Sequence, residues 1–249
     1  MRTGAILSAA MLLTAVLATG GCNPAPSGTG DAESSARPPS VDQRIGALFL
    51  GNTPIHTCSG SVLATPAADL VLTAAHCVVG PGLAISFAPG YHDGISPLGI
   101  HNVTQVYLDP RWLQNHDPRA DYAVLRVEQP FTAGGLTLAP PPESGTTVTV
   151  TGYALGANDS PISCRAPTTR TETDYPTVTC SGLGEGTSGG PWVSGDDVVG
   201  LTGGLHEGGC PPDPTNYSPP FDARTAELVR RATDDGPADT APVAFEDGC

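Results

Sequence analysis

Residues 184–191 read Gly-Glu-Gly-Thr-Ser-Gly-Gly-Pro, a single serine with four glycines around it. The glycines strip side-chain bulk from both sides of the Ser188 hydroxyl. At 186, 189 and 190 they let the backbone pack closely and aim amide hydrogens at a developing oxyanion. A serine hydroxyl is a poor nucleophile until a histidine takes its proton and an acid fixes the tautomer of that histidine. Toward the N-terminus, Asp121-Tyr122-Ala123-Val124-Leu125 offers a carboxylate at the mouth of an apolar strand. Leu72-Thr73-Ala74-Ala75-His76-Cys77 offers an imidazole just after another. Singly, each has an ordinary reading: a Gly-rich loop, a turn-capping acid, a structural histidine. In the order His76, Asp121, Ser188, spaced 45 and 67 positions apart, they read as base, orienting acid and nucleophile. Asp117 is the one close rival to Asp121, but Pro118 follows it and the strand pattern does not.

From Ile45 onward the apolar residues fall in short runs separated by Gly, Pro, Asn and Asp. Ile45–Leu50, Leu70–Leu72, Asn102–Leu108, Tyr122–Leu125 and Thr147–Thr151 are such runs, and the pattern predicts strands. Gly and Pro together number 57 of 249 residues, which suits many strands joined by tight turns. Asp222–Arg231 alone has helical spacing and predicts a short terminal helix. No internal repeat is visible, so the chain reads as all-β with one late helix. At 39% hydrophobic residues it can bury a sizeable core, which excludes a disordered polypeptide. Eleven Arg and no Lys face 25 acids, for a net charge of −14; a phosphate-contacting nucleic-acid surface is thereby disfavoured.

The first 21 residues, a charged start and the apolar run Ala5 to Ala18, read as a secretory signal peptide too short to span a bilayer comfortably. Thr19-Gly20-Gly21-Cys22 resembles the bacterial lipobox, in which the Cys is diacylated and becomes the new N-terminus. Residues 22–44 read as a flexible tether: Asn23 to Ser40 holds four Pro, four Ser, two Gly and no large apolar residue. Of seven Cys, setting aside Cys22 leaves Cys58, Cys77, Cys164, Cys180, Cys210 and Cys249, enough for three disulfides in an oxidising compartment, with connectivity open. Residues 233–249 form an acidic tail that Cys249 is expected to tie down.

The strings TAAHC at 73–77, DYAVL at 121–125 and SGGP at 188–191 resemble the three catalytic blocks of trypsin/chymotrypsin-like serine proteases, and the chain order His, Asp, Ser is theirs. Gly46-Ala47-Leu48-Phe49, Phe87 to Gly94 and Tyr217-Ser218-Pro219 with Phe221 are similar to a secreted bacterial branch of trypsin-like peptidases. The resemblance spans residues 45–232. It implies two packed antiparallel six-stranded β-barrels, at about 45–130 and 131–232, with the triad in the cleft between them. It further implies disulfides Cys58–Cys77 and Cys164–Cys180, with Cys210 and Cys249 as the remaining pair. Ser188 would attack a peptide carbonyl, His76 act as base and then acid, and Asp121 orient the imidazole. The amides of Gly186 and Ser188 would form the oxyanion hole. The implied protein is a monomeric serine endopeptidase acting on protein or peptide through an acyl-enzyme, with no cofactor or metal and no membrane contact beyond the possible anchor.

Two departures matter. Most family members carry Asp just before the nucleophile, and in zymogen-activated ones it pairs with a freed amine; here Thr187 stands there, so Ile45 is an ordinary strand residue and the loop must be held by other means. The position that carries an acid in trypsin-like pockets falls at Gly182, so strict trypsin-like preference is not expected. Gly203 and Gly204 would furnish another pocket wall; Glu185 beside the nucleophile reads first as a solvated loop acid, with the favouring of a basic substrate residue as its alternative.

Competing readings are weaker. Gly186-Thr187-Ser188-Gly189-Gly190 also fits the G-x-S-x-G nucleophile elbow, but that class needs an acid and then a His after the Ser, and only His206 follows. A zinc site at His76 and Cys77 lacks a second ligand cluster. His56, His92, His101, His116 and His206 show no metal-like pairing, and Trp112 and Trp192 read as core. The functional alternative is a catalytically inactive trypsin-like binding module.

Overall fold

The computed structural model describes residues 34–35, 41–155 and 160–244. The expected signal peptide, Cys22, most of the tether and Cys249 lie outside the described residues. A two-residue strand, β1 (Ser34–Ser35), comes first. The apolar runs then become β2 (Ile45–Leu50), β3 (His56–Val62), β4 (Leu70–Thr73), β5 (Ile85–Pro89), β6 (His101–Leu108) and β7 (Ala123–Val127). In the order β2-β3-β4-β7-β6-β5 these six close into a barrel, every neighbouring pair antiparallel. Closure leaves no free edge and turns alternate side chains inward. Leu48, Phe87 and Leu125 on one face of the strands and Leu70 and Leu72 on the other are all without measurable exposure, each such apolar side chain contributing roughly 1.5–3 kcal/mol.

The second half holds β8 (Thr137–Leu138), β9 (Thr147–Gly152), β10 (Ile162–Arg170), β11 (Pro176–Ser181), β12 (Pro191–Ser194), β13 (Asp197–Leu201) and β14 (Thr215–Tyr217). They form a curled sheet of order β1-β11-β10-β9-β12-β13-β8, with β14 added on β11. The fold is thus mostly β, a closed six-strand barrel beside a second curled sheet, with a short C-terminal helix. Trp192 is the largest fully buried side chain of the second half, and Trp112 is buried in the first.

Two disulfides join Cys58 to Cys77 and Cys164 to Cys180. Cys210 is disulfide-bonded as well. The C-terminal helix, α2 (Ala223–Thr233), follows from a capping box: Asp222 accepts the amides of Arg224 and Thr225, and Thr225 Oγ1 accepts the Asp222 amide in return. Its Thr225, Leu228 and Ala232 face is buried, and Arg230 and Arg231 sit in the last turn, where the helix dipole favours cations. A second helix, α1 (Pro110–Asn115), was not expected from periodicity, which needs more than six residues to show. Its signal is the cap: Asp109 accepts the Arg111 amide at 2.8 Å, and Pro110 opens the first turn.

The tail hooks back onto the first barrel. Asp239 donates its amide to Val106 O and accepts the Leu108 amide at 2.8 Å, while Arg231 pairs with the same carboxylate at 2.5 Å. Replacing Asp239 by Ala leaves the Leu108 amide and Arg231 without that acceptor. We expect a loss of about 1–3 kcal/mol, read as a lowered Tm; an unchanged Tm contradicts this account of the tail.

Candidate active site

The turn Ala75–Cys77 leaves β4 directly, because Cys77 is drawn back to β3 by its bond to Cys58. That fixes His76 at the mouth of the first barrel. Asp121 caps the turn Pro118–Ala120 and precedes β7, which pairs with β4, so both residues emerge from adjacent strands. Tyr122 anchors that strand start by donating its hydroxyl to Asp109 at 2.7 Å. The rival Asp117 is a cap, accepting the Arg119 amide at 2.9 Å.

Asp121 is fully buried. Its Oδ2 accepts from His76 Nδ1 at 2.8 Å and from the Gly204 amide at 2.7 Å, and its Oδ1 accepts the His76 amide at 2.9 Å. With Nδ1 donating to the carboxylate, Nε2 is the ring nitrogen left to act as base. The His76 side chain is only 8% exposed. Burial pushes its imidazole down, but the Asp121 carboxylate, by charge and by hydrogen bond, and Glu207, by charge, together hold it above its ordinary value. Ligand atoms of Cys58, His76 and Cys77 come within 4.8 Å of one another, yet the two sulfurs are joined and the imidazole is engaged by Asp121, so this trio is not a metal site.

Ser188 is brought to the same place by the packing of its loop on the first barrel. The Ser188 carbonyl accepts the Ser59 amide at 2.8 Å, and Ser59 is the neighbour of the Cys58 that binds Cys77. Gly189 has φ +76° and lies so close to Thr73, Ala74 and Ser59 that any Cβ would collide with them. Gly186 has φ +86°, and a Cβ there would collide with Leu155 and Tyr153. Both positions therefore require glycine.

The loop, which lacks an acid at 187, is held by neutral bonds. Buried Thr187 donates its hydroxyl to Gly184 O at 2.7 Å and its amide to the same oxygen at 3.1 Å. Glu185 O accepts the Leu155 amide at 2.7 Å, and Thr187 O accepts the Gly190 amide at 2.9 Å. In a planar trans peptide the N–H points opposite the C=O, so these two bonds orient the Gly186 and Ser188 amides. Among the described residues, those two amides have no acceptor, whereas the amides of Thr187, Gly189 and Gly190 all do.

Beside Ser188 opens a cavity of about 180 Å³. Leu183, Thr202, Thr215 and Asn216 line it, with Glu185, Glu207 and Asp213 as its carboxylates and no Arg or Lys. Gly182, Gly203 and Gly204 are not among its lining residues. Gly182 is exposed, Gly203 lies against the Asp121 carboxylate, and Gly204 donates to it. The wall residues from β14 escaped the sequence reading because their place depends on the pairing of Thr177 with Tyr217, which no local pattern encodes.

A mostly β fold with a buried His–Asp pair and a glycine-cradled serine at one cleft is that of a trypsin-like serine protease. The trypsin-like peptidase domain model matches residues 58–201, and the chain belongs to that family. Among solved structures it is similar to protease Anisep from Arthrobacter nicotinovorans, at 21% identity over 80% of this chain and 99% of that one, with a TM-score of 0.69. It is also similar to a Glu endopeptidase in complex with MPD, at 20% identity over 82% and 98% of the two chains and a TM-score of 0.67. A thermostable serine protease, AL20, from an extremophilic microorganism matches at 21% identity over 79% and 99%, with a TM-score of 0.66. No curated protein sequence matches the chain significantly.

Only neutral His76 can accept a proton, so the raised imidazole places the acid limb of the rate profile above about 6.5, the ordinary value. Glu207→Gln removes one of the charges favouring the protonated form, and the limb should move to lower pH. A profile of kcat/KM against pH checks this; a limb that stays put or moves up contradicts it.

Proposed function

We propose that the protein is a serine endopeptidase that cleaves protein or peptide through a His76–Asp121–Ser188 triad and an acyl-enzyme. The reading rests on one observation above all: an imidazole held 2.8 Å from a fully buried carboxylate, beside the glycine-rich loop that carries the half-buried Ser188. Ser188 Oγ attacks the scissile carbonyl carbon while His76 Nε2 takes its proton. The oxygen that becomes negative is met by the Gly186 and Ser188 amides, and Asp121 stabilises the imidazolium. His76 returns the proton to the departing amine, and water then repeats the sequence on the ester. Substrate polarity follows from the cavity: three carboxylates outnumber the single imidazole, His206, in a lining with no Arg or Lys, which disfavours an acidic side chain and suits a basic or neutral one. The apolar start, the Cys22 motif and the disulfides support export with a lipid tether at the outer face of the bacterial membrane.

Hydrolysis of fluorescently quenched casein by the purified protein tests the proposal. His76→Ala should lose about 10³-fold or more of the rate, and peptides with Glu at the cleaved residue should be slower than those with Arg. A protein that is folded and cleaves nothing, or a His76→Ala variant as fast as the parent, overturns the reading and leaves a binding module.

A further inference from the structure

We infer that Ser59, a residue of the first barrel, is the positioning residue for the oxyanion-binding amides of the second half. The inference rests on the assignment of Ser188 as nucleophile and of the Gly186 and Ser188 amides as the oxyanion hole. Ser59 is fully buried, and every polar group it carries is engaged. Its hydroxyl donates to Gly186 O at 2.9 Å and accepts the Tyr153 amide at 2.8 Å. Its own amide donates to Ser188 O at 2.8 Å, and its carbonyl accepts the Thr73 hydroxyl at 2.7 Å.

Two of those bonds fall on the nucleophile loop. The hydroxyl pins the peptide between Gly186 and Thr187, and the backbone amide pins the one after Ser188. With Glu185 O and Thr187 O fixed elsewhere, four successive peptides of the loop have their carbonyls held, and Ser59 holds two of them. Only one of these restraints depends on a removable side chain, the Ser59 hydroxyl. It fixes the carbonyl end of the plane between the two hole amides; without the hydroxyl, only the longer Thr187 amide bond to Gly184 O, at 3.1 Å, restrains that plane against rotation about the αL backbone of Gly186. Thr73 ties Ser59 to the strand that leads to His76, so the base and the hole share one anchor.

The test is the reaction of a fluorophosphonate with the purified full-length protein, followed by stopped-time intact mass. Ser188 Oγ forms a bond to phosphorus, the P–F bond breaks with loss of fluoride, and the hydroxyl proton passes to His76. The phosphonyl oxygen occupies the hole in the transition state. Ser59→Ala should lower the limiting rate constant about tenfold or more while the reagent's saturation constant changes little, because the loss is one of alignment and not of binding. Ser61 is the matched control: it lies two residues on in β3, is equally buried, and its hydroxyl has no hydrogen-bond partner among the described residues. Ser61→Ala should react at the parental rate, and Ser59→Thr, which keeps the hydroxyl, should recover most of the loss. Should Ser59→Ala not fold, Ser59→Cys, a weaker donor of similar shape, carries the same comparison. A parental limiting rate in the Ser59 variant, or an equal loss in Ser61→Ala, overturns the inference. A parent that takes no label overturns the triad reading with it, whereas a labelled parent with an unaffected Ser59 variant overturns the inference alone.

Discussion

The Asp121 carboxylate is buried without exposure, and the rest of the site is arranged around its need for donors. An ionised carboxylate taken out of water is tolerated only when its oxygens are hydrogen-bonded. Three donors meet it: the amide and the ring of His76, which follow β4, and the amide of Gly204, which follows β13. The charge thereby gathers segments from both halves of the molecule to one point. It also selects the ring tautomer, since an Nδ1 that donates leaves Nε2 as the basic nitrogen. The structural need and the chemical one are met by the same bonds.

The nucleophile loop solves a different problem. Its backbone must keep two amides pointing at solvent-facing space without a charged latch, because position 187 is Thr. Neutral hydrogen bonds replace the latch: Thr187 closes on Gly184, and Ser59 reaches across from the barrel to Gly186 and Ser188. Each contributes about 1 kcal/mol net, yet an unmet buried partner would cost more, so the set is strongest when complete. With Thr at 187 the loop offers no carboxylate there for a freed amine to pair with, and Arg44 pairs with Asp42 and Asp196.

Much of this was legible in the sequence, for identifiable reasons. Strands such as β6 and the terminal helix showed their period locally, and His76, Asp121 and Ser188 stood in strings whose neighbours are shaped by the same close packing. The disulfides Cys58–Cys77 and Cys164–Cys180 were implied by the resemblance, and both are present. What stayed hidden depends on contacts far apart in the chain. Ser59 lies 127 positions from Gly186, and nothing in Cys58-Ser59-Gly60-Ser61 distinguishes its hydroxyl from that of Ser61. Thr202, Thr215 and Asn216 reach the cavity only through sheet pairing, and α1 is too short for periodicity to reveal.

The central claim is that Ser188 is an activated nucleophile, and intact mass after fluorophosphonate treatment at neutral pH addresses it directly. The account predicts one adduct on the parent and none on Ser188→Ala. A folded parent that takes no adduct, or a Ser188→Ala variant labelled to the same extent, would contradict it.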